Sequence, residues 1–262
     1  MCGYIIPFAS LPVSWAINFD CNRPHTARRL ATANASQFSM NLNNSFNSKP
    51  TLGAVVLCGG QSTRLGVDKQ ELIFDGQTFL ERIVSALTPV TRRILLVGNV
   101  NRDRHQLPDS VSIAQDQRPD KGPLEGIRVG LEALANDCEY AFVSSCDVPL
   151  LTGALVQFLV KRLSDRDAIV PTKGPRRYGM TAIYRTRLHT AIGKRIDQDK
   201  LRVCDLTEGF DVTDIDAEAL RVVDPELDTL TNINSAADYF RLLERFGQQC
   251  PEKLLRLLES SE

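Results

Sequence analysis

Two adjacent glycines, two hydroxyl side chains and two cations share one short polar segment, residues 59–69. The segment directly follows the apolar run Leu52–Cys58, which is typical of a strand buried on both faces. Adjacent glycines at the end of such a strand let the backbone approach a ligand closely, because no Cβ stands in the way. Exposed amides, hydroxyls and the side chains of Arg64 and Lys69 suit a polyphosphate. The segment therefore predicts a phosphate-binding loop.

The spacing within this segment excludes two common phosphate motifs. A Walker loop has Gly directly before Lys and then Ser or Thr, whereas two residues separate Gly66 from Lys69 and Gln70 follows. A dinucleotide fingerprint needs Gly-x-Gly-x-x-Gly, which residues 59–64 lack. The alternative interpretation is a glycine-rich turn whose Arg and Lys are simply solvated.

A carboxylate follows another apolar run, Tyr140–Ser145, in the sequence Cys-Asp-Val-Pro. At the end of a buried strand, Asp147 would point into a ligand cleft, where a carboxylate can bind Mg²⁺ beside phosphate oxygens. A lone Asp-x-Pro more often caps the following helix. The glycine loop at the same edge of the sheet favours the metal hypothesis. Cys146 has no histidine partner in the sequence, so we interpret it as a small buried residue.

Four further polar residues are weaker candidates. Asp116 follows the short run Val111–Ala114, where it would accept hydrogen bonds from a ribose or a guanine edge, or simply be solvated. Asn232 and Asn234 precede the last long helix, and capping of that helix is their better-supported role, with the metal or a second substrate as the alternative. Arg177 lies in a loop where it would hold an anionic acceptor or remain solvated.

The hydrophobic pattern predicts strands that alternate with helices. Strands are predicted at residues 52–58, 94–97, 111–114, 140–145, 168–170 and 180–184. Helices are predicted at residues 77–87, 123–134, 152–163, 188–196 and 235–246. This order indicates an α/β fold with a mainly parallel sheet covered by helices on both faces. Ligands of such sheets bind beyond the carboxyl ends of the strands, which places Gly59, Asp116 and Asp147 along one edge.

The composition limits the classes of function. A net charge of −1 over 262 residues argues against a broad nucleic-acid-binding surface. None of the seven cysteines forms a C-x-x-C pair, so neither a zinc site nor a disulfide framework is indicated, and a reducing cytoplasm is the simplest location. The apolar stretch near the amino terminus is interrupted by prolines and is too short to span a membrane.

The two ends of the chain differ from its centre. Residues 1–50 are predicted to be a disordered extension, because residues 21–50 are rich in Asn, Ser, Thr and Ala and contain no acidic residue. A transit peptide is an alternative, and a start at Met40 would make the earlier segment an annotation artefact. One domain is predicted from residue 51 to 247. Residues 248–262 form a tail with a short amphipathic run, which predicts a surface helix or a frayed end.

These segments occur in the order found in a known family. The motifs LCGGQSTRLGVDK, GPLEGI, CDVP and TNINSAAD, with Asp116 between the first two, resemble those of the molybdenum cofactor guanylyltransferases. The resemblance covers about residues 52–246. It implies a Rossmann-like three-layer sandwich of the nucleotide-diphospho-sugar transferase type. It also implies transfer of GMP from GTP to the phosphate of molybdopterin, with Mg²⁺ as cofactor and pyrophosphate as the second product.

The resemblance also implies roles for individual residues. Those that match the family's nucleotide-binding positions are Leu57, Cys58, Gly59, Gly60, Lys69, Asp116 and Asp147. The catalytic set comprises Arg64 and Lys69, which face the phosphates, and Asp147, which is the Mg²⁺ ligand. Asn232 and Asn234 match a region linked to the pterin or the metal. Arg177 is the third candidate for the acceptor side, and other proteins of molybdenum cofactor biosynthesis are expected partners.

Two departures from the family pattern accompany this resemblance. Cys58 stands where alanine is usual, and residues 177–181 lack the expected proline-rich form that often contains histidine. The second departure concerns the pterin contacts more than the nucleotide contacts. Two alternatives therefore stay open. One is the same chemistry with CTP, or with a sugar-phosphate or isoprenoid-pathway acceptor. The other is a non-catalytic nucleotide-binding module.

Overall fold

Residues 51–59, 67–98, 100, 108–118 and 120–259 are described by a computed structural model. They belong to one unit that runs from Lys49 to Glu262. The predicted extension 1–50 lies outside the described residues. Within the part that is described, no helix is long and apolar enough to cross a membrane.

The first apolar run forms the middle of the main sheet. The strands are β1 (Leu52–Cys58), β2 (Ile73–Phe74), β3 (Gln77–Thr78), β4 (Ile94–Gly98), β5 (Val111–Ala114), β6 (Tyr140–Ser145), β7 (Ala168–Lys173), β8 (Arg176–Arg177), β9 (Ala182–Arg185) and β10 (Val212–Asp216). Their order in the main sheet is β10-β7-β9-β6-β1-β4-β5, with β8 paired to β7, while β2 and β3 form a separate hairpin. Strand β9 is antiparallel to β6 and β7, whereas β1, β4, β5 and β6 are parallel to their neighbours in this half of the sheet. The prediction of a mainly parallel sheet is confirmed.

Helices cover both faces of this sheet. They are α1 (Phe79–Leu87), α2 (Pro123–Leu134), α3 (Gly153–Val160), α4 (His189–Asp197), α5 (Ala236–Arg245) and α6 (Glu252–Glu259). On one face, Ala54 and Val56 of β1 share a core with α1 and α3. On the other face, Val55 and Leu57 share a core with α2 and α4. Because side chains of a strand alternate between faces, a strand buried on both sides must be apolar throughout. The three-layer α/β sandwich is confirmed.

Capping side chains set several helix starts and account for small differences from the predicted limits. Thr78 caps α1 in a reciprocal arrangement with Glu81, and Gln77 pairs with Phe74 in the β2–β3 hairpin, so the helix begins two residues later than the pattern predicted. Thr152 caps α3 by accepting a hydrogen bond from the amide of Leu155, without a reciprocal partner. Helix α2 begins at Pro123, directly after Gly122, as the sequence predicted.

A third apolar cluster joins the hairpin to the last two helices. Leu72 and Phe79 pack there with Tyr239 of α5, whose hydroxyl donates to the carbonyl of Ile73 at 2.6 Å. Leu254 and Leu258 of α6 are buried in the same cluster. The amphipathic run predicted in the tail is therefore a helix, and its apolar face packs against the hairpin region.

Replacing Gly130 with alanine is expected to destabilise the protein, because overpacking costs about 1–3 kcal/mol. The higher helix propensity of alanine offsets up to ~1 kcal/mol of this cost. A Cβ at Gly130 of α2 would stand 2.4 and 2.5 Å from the two methyl groups of Val55 in β1. Urea denaturation would measure the loss. Val55→Ala makes space for the new methyl group, so the double variant is expected to lose less than the sum of the two single losses. Additive losses would contradict the steric explanation.

Candidate functional site

A cavity of about 670 Å³ opens beyond the carboxyl ends of β1, β5 and β6. We call it the first cavity. The predicted site residues that line it are Leu57, Cys58, Gly59, Lys69, Asp116 and Asp147. They come from four separate parts of the chain, and the sheet brings them together because parallel strands end at a common edge. Gly60 and Arg64, which were also predicted to belong to this site, lie outside the described residues.

Asp147 lies at the end of β6, where its carboxylate is fixed from three sides. Its Oδ1 accepts hydrogen bonds from Ser145 Oγ at 2.5 Å and from Asn232 Nδ2 at 2.9 Å. Its Oδ2 lies 3.3 Å from Lys69 Nζ. The residue is buried apart from its exposure to the cavity. Because the carboxylate has these partners and Thr152 caps α3, the alternative of Asp147 as a helix cap is wrong.

Lys69 carries the cation of this cluster. It opens a short 3-10 helix, Lys69–Glu71, that begins after the capping residue Asp68. Its Nζ donates to Asn234 Oδ1 at 2.7 Å and also reaches Asp147 Oδ2. The ammonium group is therefore held at the rim of the first cavity. A compact point charge in such a place suits phosphate oxygens.

The two asparagines face this cluster and do not cap the last long helix. Ser235 caps α5, in a reciprocal arrangement with Asp238. Asn232 donates to Asp147, and Asn234 accepts from Lys69. The backbone between them is also fixed, because the amide of Ile233 donates to the carbonyl of Asp147 at 2.9 Å. The better-supported sequence interpretation, helix capping by these asparagines, is thus wrong, since a neighbouring serine takes that role.

The wall of the first cavity that follows β1 has no side chain at Gly59. Among the described residues, a Cβ there would meet only the Cα of Gly98, at 3.8 Å, so this part of the protein leaves room for a small side chain. Next to it, the pKa of the Cys58 thiol is raised well above its usual value by a hydrogen bond with Cys146 and by burial. A thiol of raised pKa is a poor nucleophile. Cys58 therefore serves as a wall residue and not as a nucleophile. Cys146 is small and buried, as predicted.

Asp116 lies on the loop between β5 and α2, with its carboxylate close to the start of that helix. A Cβ at Gly126 would stand 3.4 Å from Asp116 Oδ1 and 2.9 Å from a methyl group of Leu57. The glycine therefore allows α2 to approach both the first strand and the Asp116 loop. The protein packed around the carboxylate raises its pKa, and the nearby charge of Glu125 raises it further.

A second cavity, of about 780 Å³, adjoins the first and shares Asp147 and Met180 with it. The three residues proposed for an acceptor, Arg177, Asn232 and Asn234, line this second cavity. The guanidinium of Arg177 makes two hydrogen bonds to the carboxylate of Asp214, at 2.6 and 3.2 Å. The Asp147 cluster thus lies where the two cavities meet.

Several lining residues were not singled out by the sequence. Ser145 directly precedes the Cys-Asp-Val-Pro motif, and its position two residues before Asp147 is a signal by which it could have been found. Arg176 lines the second cavity, where its guanidinium stacks over the ring of Tyr178 at 4.7 Å. Met180 separates the two cavities and has no recognisable signal in the sequence.

Oxygen ligands for a hard cation are available at Asp147. Among the described residues, no group of three or more His, Cys, Asp or Glu is arranged to hold a metal ion. A single carboxylate, with a hydroxyl beside it, is nevertheless what Mg²⁺ uses when phosphate oxygens and water complete its coordination. Asp147 and Ser145 therefore fit such an ion in the presence of a nucleotide.

Known proteins share the domain and the fold of this chain. Residues 54–206 match the family model described as the MobA-like NTP transferase domain. Molybdopterin-guanine dinucleotide biosynthesis protein A from Archaeoglobus fulgidus has a similar structure, with a TM-score of 0.62 and 22% identity, covering 74% of this chain and 98% of that one. The manganese complex of Rv0371c from Mycobacterium tuberculosis shares the fold at a TM-score of 0.52 and 16% identity, covering 74% and 98%. Domain and fold together define the class: the protein is a nucleotidyltransferase.

A curated relative narrows this class. The probable molybdenum cofactor guanylyltransferase of Methanosarcina acetivorans is 34% identical over 199 residues, which is 71% of this chain and 87% of the relative. With this similarity and the match of residues 54–206, the chain belongs to the MobA-like NTP transferase family.

Proposed function

We propose that this protein transfers GMP from GTP to the phosphate of molybdopterin, giving the guanine dinucleotide form of the cofactor and pyrophosphate. The observation that carries the proposal is the cluster of Asp147, Lys69, Asn232 and Asn234 at the junction of two cavities. A nucleotidyltransferase needs one site for each substrate, with its charged groups where the substrates meet. The molybdenum cofactor guanylyltransferase relative supports GTP and molybdopterin as the pair.

The first cavity is the proposed nucleotide site. Its volume of about 670 Å³ lies in the range of small-molecule sites. Gly59 offers backbone that a triphosphate can approach, and Lys69 offers the cation that neutralises it. Leu57 and Cys58 form the wall beside them, and Asp116 lies where its carboxylate would accept hydrogen bonds from the base or ribose. Gly60 and Arg64 are retained as phosphate-facing residues on the sequence alone.

Asp147 is the proposed ligand of the divalent metal, and we propose Mg²⁺. When bound, Mg²⁺ would neutralise charge on the phosphate oxygens of GTP. The hydrogen bonds from Ser145 and Asn232 fix the carboxylate in position, which is the role expected of groups behind a metal ligand. Lys69 then adds a second positive charge on the same side of the cavity.

The second cavity is the proposed acceptor site. Lys173 and Arg176 line it together with Arg177, which supports an acceptor that carries a phosphate. Asp214 holds the Arg177 guanidinium with two hydrogen bonds and so orients it along the wall of this cavity. Asn232 and Asn234 lie at the inner end, next to Asp147, where the acceptor phosphate would arrive.

The reaction follows from this placement. An oxygen of the acceptor phosphate attacks the α-phosphorus of GTP in line, a new P–O bond forms, and the bond to the bridging oxygen of pyrophosphate breaks. No general base is needed, because a phosphate nucleophile is already ionised. The chain's own contribution is to position both substrates and to neutralise the growing charge with Lys69.

Three further parts of the proposal rest on the sequence. The nucleotidyltransferase domain is proposed to span residues 51–247. The proposed location is the cytoplasm, because the cysteine spacing indicates no disulfide framework. Other proteins of molybdenum cofactor biosynthesis are proposed partners through the family resemblance.

The test of this function is pyrophosphate release from purified protein with Mg²⁺ and molybdopterin. GTP, CTP, ATP and UTP are compared in parallel assays, and release with GTP alone is expected. Release with CTP instead would reassign the base while keeping the chemistry. Nucleotide binding without release by any of the four would contradict molybdopterin as the acceptor and direct attention to residues 177–181.

Replacing Gly59 with valine is expected to weaken GTP binding by at least about 100-fold, because a branched side chain would occupy the space of the triphosphate. The space around Gly59 allows an effect on GTP binding to be separated from an effect on folding. Since the only described residue that a Cβ at this position would meet is Gly98, at 3.8 Å, the fold should tolerate Gly59→Ala with little change in stability. Calorimetry would give both affinities, and thermal unfolding would confirm folding. A valine variant that is folded and binds GTP normally would contradict the placement.

A further inference from the structure

A hydrogen bond connects the loop between β5 and α2 to the helix. Gln117, the neighbour of Asp116, accepts a hydrogen bond at its Oε1 from Arg128 Nη2, at 2.8 Å. The backbone on each side of this contact leads to the edge of the first cavity: Asp116 comes before it, and Asp120 and Gly122 come after it. The position of Asp116 therefore depends on where Arg128 holds this loop.

Arg128 is itself fixed by a buried ion pair. Its Nε and Nη2 donate to the two carboxylate oxygens of Glu125, at 2.8 and 2.7 Å, and its Nη1 donates to Glu132 at 2.7 Å. Glu125 is 0% exposed and Arg128 is 6% exposed. The stem of Arg128 runs past Gly193 of α4, where a Cβ would stand 3.5 Å from Arg128 Cδ. A planar guanidinium with this many partners has one available orientation.

Burying such a pair adds little net stability, because the cost of removing two charges from water offsets most of their attraction. Two of the donor positions are satisfied by Glu125 and one by Glu132, and the contact with Gln117 leads away from the helix to the loop. The same helix also passes close to Asp116 at Gly126, where an added Cβ would stand 3.4 Å from Asp116 Oδ1. The network thus connects α2 to Gln117, the residue next to Asp116 of the first cavity.

We propose that Arg128 is a positioning residue of the nucleotide site, which holds Asp116 in place for the base or ribose through its hydrogen bond to Gln117. This inference rests on the proposed function, because it assumes that Asp116 contacts the nucleotide. Exposed ion pairs of the same loop contribute less to holding Asp116 in position. Arg118 pairs with Asp197 at 2.7 Å, but solvent screens both side chains, which are 40% and 65% exposed.

The first test replaces Gln117 with methionine, which keeps the length of the side chain and removes the acceptor. We expect GTP to bind about tenfold more weakly, the size of effect for losing one hydrogen bond to a charged group. The KM for GTP should rise with it, while kcat at saturating GTP stays close to the value of the unmodified protein, because Gln117 touches no reacting group. The matched control is Arg118→Met on the same loop, for which we expect a change of less than about twofold.

A double-mutant cycle tests the path from Arg128 to the loop. Arg128→Lys keeps the charge beside Glu125 but lacks the fork that reaches Gln117 as well. We expect Arg128→Lys and Gln117→Met to weaken GTP binding by similar factors, and the double variant to be no weaker than the worse single one. Independent, multiplying factors would overturn the proposed path.

Amide hydrogen exchange in the nucleotide-free protein separates this inference from the proposed function. Exchange of residues 115–118 should be faster in Gln117→Met than in the unmodified protein and unchanged in Arg118→Met. Absence of GTP binding by the unmodified protein would overturn the proposed function. Normal GTP binding by both the unmodified protein and Gln117→Met would overturn this inference alone.

Discussion

Asp147→Asn is expected to lower the rate of pyrophosphate release from GTP by roughly 10²–10³-fold, the effect of removing one group that stabilises charge in the transition state. Asparagine keeps the size of the side chain and one acceptor oxygen but removes the negative charge proposed to bind Mg²⁺. The carboxylate is held in position by Ser145, Asn232 and Lys69, none of which carries a negative charge that could replace it.

The fold should survive this replacement. Asp147 is in contact with solvent through the cavity, and its pair with Lys69 is not deeply buried, so a small change in melting temperature is expected. Initial rates at saturating GTP and molybdopterin, over a titration of Mg²⁺, provide the measurement. Asp120→Asn is the matched control, because it removes another carboxylate from the lining of the same cavity. A near-normal rate of Asp147→Asn at saturating Mg²⁺ would rule out the metal role.

Lys69→Met is expected to lower kcat/KM for GTP by about 100-fold, since it removes the described cation nearest to the proposed phosphate site. Methionine preserves the apolar stem, so the short 3-10 helix that Lys69 opens should persist. The lost contacts are those to Asn234 at 2.7 Å and to Asp147 at 3.3 Å. Both the affinity for GTP and the rate of the chemical step should fall, because the charge acts on the ground state and on the transition state.

Two further variants sharpen this test. Lys121→Met removes a lysine of the Asp116 loop whose partner is the exposed Asp199, and a change of less than about twofold is expected. Lys69→Arg should recover only part of the activity, because the planar fork of arginine does not reproduce a compact ammonium group. If Lys69→Met retained the full kcat/KM, the phosphate would have to be neutralised elsewhere. The loop residue Arg64 would then be the first to replace.

Much of the sheet could be predicted from the sequence because local pattern and tertiary burial agree there. The limits of β1, β6 and α2 match the prediction to the residue: both strands are continuous apolar runs, and the helix begins with Gly-Pro. Strand β10 was missed. It lies at the edge of the sheet and pairs with β7, a strand more than 35 residues earlier. Three of its five residues are polar (Thr213, Asp214 and Asp216), and they do not alternate regularly with apolar ones, so no local signal distinguishes it from a polar loop.

The candidate site was predictable where it follows from the rule on strand ends. Gly59, Asp116 and Asp147 each come one or two residues after a predicted strand, and the structure places all three at one cavity. The roles of Asn232 and Asn234 were not predictable in this way. A helix-capping sequence next to them gave a sufficient local explanation, yet Ser235 alone takes that role.

The sequence by itself determined the layered α/β fold, the glycine-ended first strand and the residue types of a phosphate site, since these depend on periodicity and on neighbours along the chain. Tertiary structure alone decided which of these groups meet. The hydrogen bond of Lys69 to Asn234 joins residues 165 positions apart, and Asn232 is 85 positions from Asp147. Contacts of that separation depend on how the hairpin, the sheet edge and α5 pack together, and packing geometry leaves no periodic trace in the sequence.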